Sequence, residues 1–176
     1  MIEEQLIASL ARQEKLLTQL IALMSKSKLG LHDDVGTCKI YCNRRYGCLW
    51  YRWDQDQAVA ITNTALTGYL KDLRFEKCKR RDKETPKLLI TIQADKTYIL
   101  ESGYDTHFSK SLLAAVALLR SDQILLPLTL QPQAGNDESV LFCRVWVGQE
   151  LVVAPYNDQT NWREIAKRAI AKVKSV

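Results

Sequence analysis

The chain has 176 residues, 47% of them apolar and 26% charged, with 25 basic against 20 acidic side chains. That apolar share excludes wholesale disorder, and no run approaches the ~18 consecutive apolar residues of a membrane-spanning helix, so no membrane partner is expected. The net charge of +5 says little about partners until its distribution is known. Nine of the 25 basic residues lie in 61–100, against five acidic ones, whereas 101–140 carries two basic and five acidic residues. The length fits one domain with an appendage. The five cysteines are an odd number in a chain with no export signal, which leads us to expect free thiols and a cytoplasmic setting.

Residues 2–28 read as a helix, with Leu6, Leu10, Leu17, Leu20 and Met24 on a heptad seam interrupted by Gln13. Ile7, Leu16, Ile21 and Leu23 widen that stripe. The expectation is an amphipathic oligomerisation helix, residues 1–30, forming a coiled-coil-like bundle with its copies; packing on its own domain is the alternative. The junction falls in 25–36, where Gly30, Asp33, Asp34 and Gly36 accumulate. Residues 31–176 form the second domain.

From residue 37 the hydrophobic period changes to two. Segments 37–43 and 49–54 alternate around Arg44-Arg45-Tyr46-Gly47 and read as a hairpin, with a short strand following at 58–61. Strands are then expected at 66–77, 87–94 and 97–101, the first two separated by a turn-rich basic loop. Within 66–75 the inward set slips from Leu66, Gly68 and Leu70 to Leu73 and Phe75, the mark of a bulge. Thr106 is placed to cap a helix running to about Arg120. Strands resume at 128–131, 140–147 and 151–154. A last helix, 161–174, starts at Asn161 with Glu164 three residues on.

The central order is a long strand, two hairpin strands, one helix and two more strands, with branched inward sets Leu88/Ile90/Ile92 and Leu141/Cys143/Val145/Val147. In this order residues 62–154 resemble OB-fold single-stranded DNA-binding proteins. The resemblance implies a five-stranded Greek-key barrel; with the extra N-terminal hairpin and the N- and C-terminal helices read above, the expected fold is mainly β with flanking helices. The resemblance also implies a binding face on the barrel's second and third strands, rimmed by the first-to-second and fourth-to-fifth strand loops.

Single-strand binders join cations for phosphates to aromatic planes for bases. Three groups match: the hairpin's Tyr41, Arg44, Arg45, Tyr46, Trp50, Arg52 and Trp53, together with Asn43 and Tyr51; the basic run Lys77, Lys79, Arg80, Arg81 and Lys83; and Phe142, Arg144 and Trp146. Each has a plainer reading. Trp50 or Trp53 equally suits the core of a hairpin, Phe142 and Trp146 suit the underside of a terminal helix, and a basic loop suits solvent.

Catalytic and metal constellations are thin. Cys38 and Cys42 lie on one predicted strand, roughly 13 Å apart at strand rise, too far to share an ion. His107 beside Asp105 and Ser109 reads as a helix-start residue, and no metal, cofactor or catalytic group is expected. The expectation is therefore a non-enzymatic, cytoplasmic single-stranded DNA-binding protein of replication, recombination or repair, self-associating through residues 2–28. A protein–protein adaptor using the N-terminal helix and hairpin aromatics is the alternative, and an RNA binder the third.

Overall fold

The computed structural model describes residues 2–24, 36–80 and 83–175, in two units divided between residues 35 and 36. The first unit holds helix α1, Ile2–Met24. Leu6, Ile7, Leu10, Leu16 and Leu17 each leave more than half of their surface exposed among the described residues. The side chains of Leu20 and Met24, and the expected junction, lie outside the described residues.

Among the described residues of the second unit, nine strands form one sheet: β1 (Thr37–Tyr41), β2 (Tyr51–Asp54), β3 (Gln57–Ala60), β4 (Leu66–Arg80), β5 (Lys83–Gln93), β6 (Thr97–Gly103), β7 (Leu128–Ala134), β8 (Leu141–Val147) and β9 (Glu150–Leu151). Three helices join them: α2 (His107–Leu118), the one-turn α3 (Ser121–Ile124) and α4 (Trp162–Lys174). The fold is mainly β, with a helix near each end, as expected. The sheet runs β3-β2-β1-β6-β5-β4-β7-β8-β9.

Strand β4 serves both halves of this sheet. Its start pairs with β7 at Leu66–Gly68 and its remainder with β5, and the register shifts between Leu70 and Asp72. Lys71 is the extra residue of that bulge, so the slip in the apolar pattern has a structural counterpart. Gly68 is required there, because a Cβ would stand 2.6 Å from Ile92 Cγ2 and 2.7 Å from the Gln93 carbonyl oxygen.

Closing the central strands into a barrel would need β6 to pair with β8, and the described sheet is open. The free edge of β6 is taken by β1, in parallel, from Thr37↔Thr97 to Tyr41↔Glu101. The Cys143 N–H of β8 donates instead to the Ser111 hydroxyl of α2 at 2.8 Å. Alternation explains β1: Ile40 and Cys42 are buried while Thr37 and Lys39 are exposed, so the strand needs a core to face. Its first-hairpin pairing with β2 is limited to Tyr41↔Tyr51. The true hairpin is β2–β3, turning at Gln55 and Asp56 with φ of 44° and 62°, the left-handed pair that a two-residue hairpin turn demands.

The expected basic loop is also corrected. The β4–β5 ladder continues through Lys77↔Pro86 and Lys79↔Glu84 to Arg80↔Lys83. Opposite charges across it, Lys77 and Glu84 at 3.4 Å, offset the polarity of these strand ends.

The core lies between the inward face of the sheet and α2, which buries Phe108, Leu112 and Val116 completely against Leu88, Ile90, Ile92, Leu100 and Val145. Burying each such side chain contributes about 1.5–3 kcal/mol. Both expected helix caps are made. The Ser109 N–H donates to Thr106 Oγ1 at 3.3 Å and the Glu164 N–H to Asn161 Oδ1 at 3.2 Å. Helix α4 packs on α2 through Ala169 and Val173, and its Lys172 ammonium donates to the Leu119 carbonyl at the end of α2.

Candidate nucleic-acid interface

Paired residues of a sheet share a face, so the ladder assigns every outward side chain. One row runs Arg74, Leu89, Glu101, Tyr41, Tyr51, Ala60 across six strands. The next runs Asp72, Thr91, Ile99, Lys39, with Trp53 two residues beyond Tyr51. Tyr69 pairs with Gln93 on the same side, and Thr67, Thr129 and Trp146 continue it onto β7 and β8. Tyr41, Tyr51, Trp53, Tyr69, Trp146 and Arg144 therefore share the face away from α2, while Phe142, of the same parity, lies at the end of β8 that meets the start of α2.

At one end of this face the aromatics form a cluster. Tyr41 stacks on Tyr51, ring centres 5.3 Å apart and 14° from parallel. Tyr46 meets Tyr51 edge-on at 4.9 Å, and Trp53 meets Tyr46 and Tyr51 at 6.0 and 6.2 Å. Tyr51 is the buried floor; Tyr46 and Trp53 are 46% and 42% exposed. Tyr46 reaches this position from a tight turn: Arg45 N–H donates to Asn43 Oδ1 at 3.1 Å and Gly47 N–H to the Arg44 carbonyl at 3.1 Å, with Gly47 at φ 71°.

Cations sit on these rings. The Arg45 guanidinium lies 5.8 Å from the Tyr46 ring centre, the Lys39 ammonium 5.2 Å from Tyr41, and the Lys71 ammonium 5.6 Å from Tyr69. Lys39 also pairs with the buried Glu101 carboxylate at 2.7 Å. Burial alone would lower the Lys39 pKa, but the hydrogen bond and charge of Glu101 hold it above its ordinary value. Arg74 is spent within its strand on Asp72 and Glu76. Arg144 is exposed and has no ion pair among the described residues.

At the other end, Phe142 packs against His107, ring centres 5.1 Å apart, and Trp146 is held by an Nε1–H bond to Gln131 Oε1 at 3.2 Å. Both are half-buried, and Arg144 stands between them.

Other expected contact residues are placed elsewhere. Trp50 is 2% exposed and its Nε1–H donates to the Asn63 carbonyl at 2.9 Å; it is a core residue. Arg52 alternates to the same side as Trp50 and lines a cavity with Val59, Lys96 and Tyr98. Arg44 is a clamp between loops: its Nη1–H donates to the Asp137 carbonyl at 3.3 Å, joining the β1–β2 and β7–β8 connections, while its Nε is buried without a partner. The Ser139 N–H and hydroxyl, with Arg44, hold the Asp137 carboxyl below its usual range. Lys77 and Lys79 point by parity to the helix-covered side. The side chains of Arg80 and Lys83, and all of Arg81, lie outside the described residues.

Sequence reasoning missed Lys39, Tyr69 and Lys71. Strand parity was the available signal, but it needed the position of the bulge. The suspected His107, Asp105 and Ser109 group is taken up structurally. Asp105 pairs with Lys110 at 2.6 Å and the Ser109 hydroxyl donates to the Gly103 carbonyl at 2.6 Å. All five cysteines are free thiols, Cys42 and Cys143 buried. No three His, Cys, Asp or Glu side chains gather as a metal site among the described residues, and no described helix is long and apolar enough to cross a membrane. Compared with protein-family models, curated proteins and solved structures, the chain matches none.

Proposed function

We propose that this chain is a non-enzymatic single-stranded DNA-binding protein. It grips the strand on the outward sheet face, with bases on Tyr46, Trp53 and Trp146 and phosphates at Arg45, Lys71 and Arg144. The observation that carries this reading is the outward cluster of aromatics with cations seated over their rings. Exposed rings supply about 1–3 kcal/mol per stacked base without reading sequence, and arginine serves both phosphate and ring. The four ladders joining β6-β5-β4-β7-β8 support an OB-like strand order, with β1 on the edge that closure would use. Self-association through α1 would place several such faces along one strand and raise avidity without tighter single contacts. A cytoplasmic role in replication, recombination or repair follows from that ligand.

The test is titration of fluorescent dT30 at about 50 mM salt and again at higher salt, where phosphate contacts weaken steeply. Micromolar binding that falls with salt and with paired Arg45→Glu and Arg144→Glu supports the reading; no binding at micromolar protein ends it. An adaptor role would survive those charge reversals. An RNA preference would appear as stronger competition by the matched RNA strand, since the 2′-OH distinguishes the two.

A further inference from the structure

The reverse side of the domain carries a second binding feature that the strand-binding face does not use. Between α2, α4 and the β4–β5 hairpin lies an apolar cavity of about 530 Å³. Its walls are Phe75, Pro86, Leu113, Trp162 and Ile170, and Phe75 is 41% exposed at its mouth. Phe75 shares the parity of Leu73 and opposes Arg74, so the cavity opens away from Tyr46 and Trp53. Two cations line it one helical turn apart, Arg163 and Lys167, both exposed and without an ion pair among the described residues. The third lining cation, Lys110, is neutralised by Asp105 at 2.6 Å.

We propose that this cavity docks an acidic, amphipathic segment of a partner protein. Its size is that of a ligand pocket, enough for two or three large side chains and too small for a folded domain. Anchor side chains of a short segment would fill the apolar walls, and acidic neighbours would pair with Arg163 and Lys167. A nucleic acid strand fits less well, because the walls are mostly apolar side chains with only Arg163 and Lys167 left to meet phosphates. Because the two sites lie on opposite sides of the sheet, strand and partner segment can be held together.

The test is selection of a random display library of about 12-residue peptides against the whole protein. Enriched peptides should combine acidic residues with adjacent large apolar ones. Their affinity should fall about tenfold or more for Ala166→Trp, which fills the cavity, and for Arg163→Glu with Lys167→Glu. Binding of dT30 should be unchanged in Ala166→Trp, and saturating dT30 should not displace the peptide. The proposal is overturned if no such peptides enrich, if they bind the variants equally well, or if dT30 displaces them. Since dT30 binding is read separately, failure here leaves the strand-binding reading standing or falling by itself.

Discussion

Trp50 and Trp53 stand three residues apart on opposite faces of one strand region, and they separate affinity from stability. Trp53 is 42% exposed and touches Tyr46 and Tyr51 only edge-on, contacts worth about 0.5–1.5 kcal/mol each. Its replacement by alanine should cost about 1–3 kcal/mol of stability by that measure. The same change removes a stacking plane, a loss of about 1–3 kcal/mol, or roughly 5- to 150-fold in dT30 affinity. Trp50 is 2% exposed and satisfies the Asn63 carbonyl. Trp50→Phe keeps most of the apolar volume but strands that acceptor and leaves a small void, costing about 1–3 kcal/mol. Its affinity for dT30 should match the parent protein. Urea unfolding with anisotropy titration of labelled dT30 reads both quantities for both variants. The reasoning is refuted if Trp53→Ala binds within about twofold of the parent, or if folded Trp50→Phe loses as much affinity as Trp53→Ala.

Other consequences concern the frame. Gly68→Ala pushes a methyl group into Ile92 and the Gln93 carbonyl and should cost about 1–3 kcal/mol in urea unfolding; an unchanged midpoint would place that approach elsewhere. Burial raises the thiol pKa of Cys42 and Cys143, and the Glu101 carboxylate raises that of Cys42 further. Both thiols stay protonated when folded while the unfolded chain ionises from about pH 9, so stability is full below that pH. Above it, stability should fall by up to about 1.4 kcal/mol per pH unit for each thiol. Cys143→Ala should make that alkaline slope shallower, and an unchanged slope would contradict it. Leu10→Asp with Leu17→Asp in α1 should shift sedimentation from oligomer to monomer while the β-rich circular dichroism persists; an unchanged mass would leave α1 without that role.

What was legible in the sequence was local. The alternation of Leu88/Ile90/Ile92 and of Leu141/Cys143/Val145 marks the buried face because strand period needs only neighbours along the chain. Thr106 and Asn161 announce helix starts because the cap bonds span three residues. The slip from Leu70 to Leu73 shows the bulge for the same reason. Partner choice was not legible: residues 37–41 alternate the same way whether they pair with 51–54 or lie parallel to 97–101, and only the edge left by β6 decides. The basic run looked like a loop because charge and Pro86 are poor strand formers, but cross-strand pairing of Lys77 with Glu84 carries the ladder past them. Trp50 and Trp53 were separable by parity and not assignable by it, since which face is buried depends on α2 and the distant strands it covers.

Photocrosslinking of a bromodeoxyuridine-substituted strand, with the adducts mapped by mass spectrometry, asks directly which face holds nucleic acid. Adducts at Tyr46, Trp53 and Trp146, competed by unlabelled dT30, are the expected result. Adducts confined to Phe75, Tyr104 or Trp162 on the helix-covered side, or none at all under binding conditions, would contradict it.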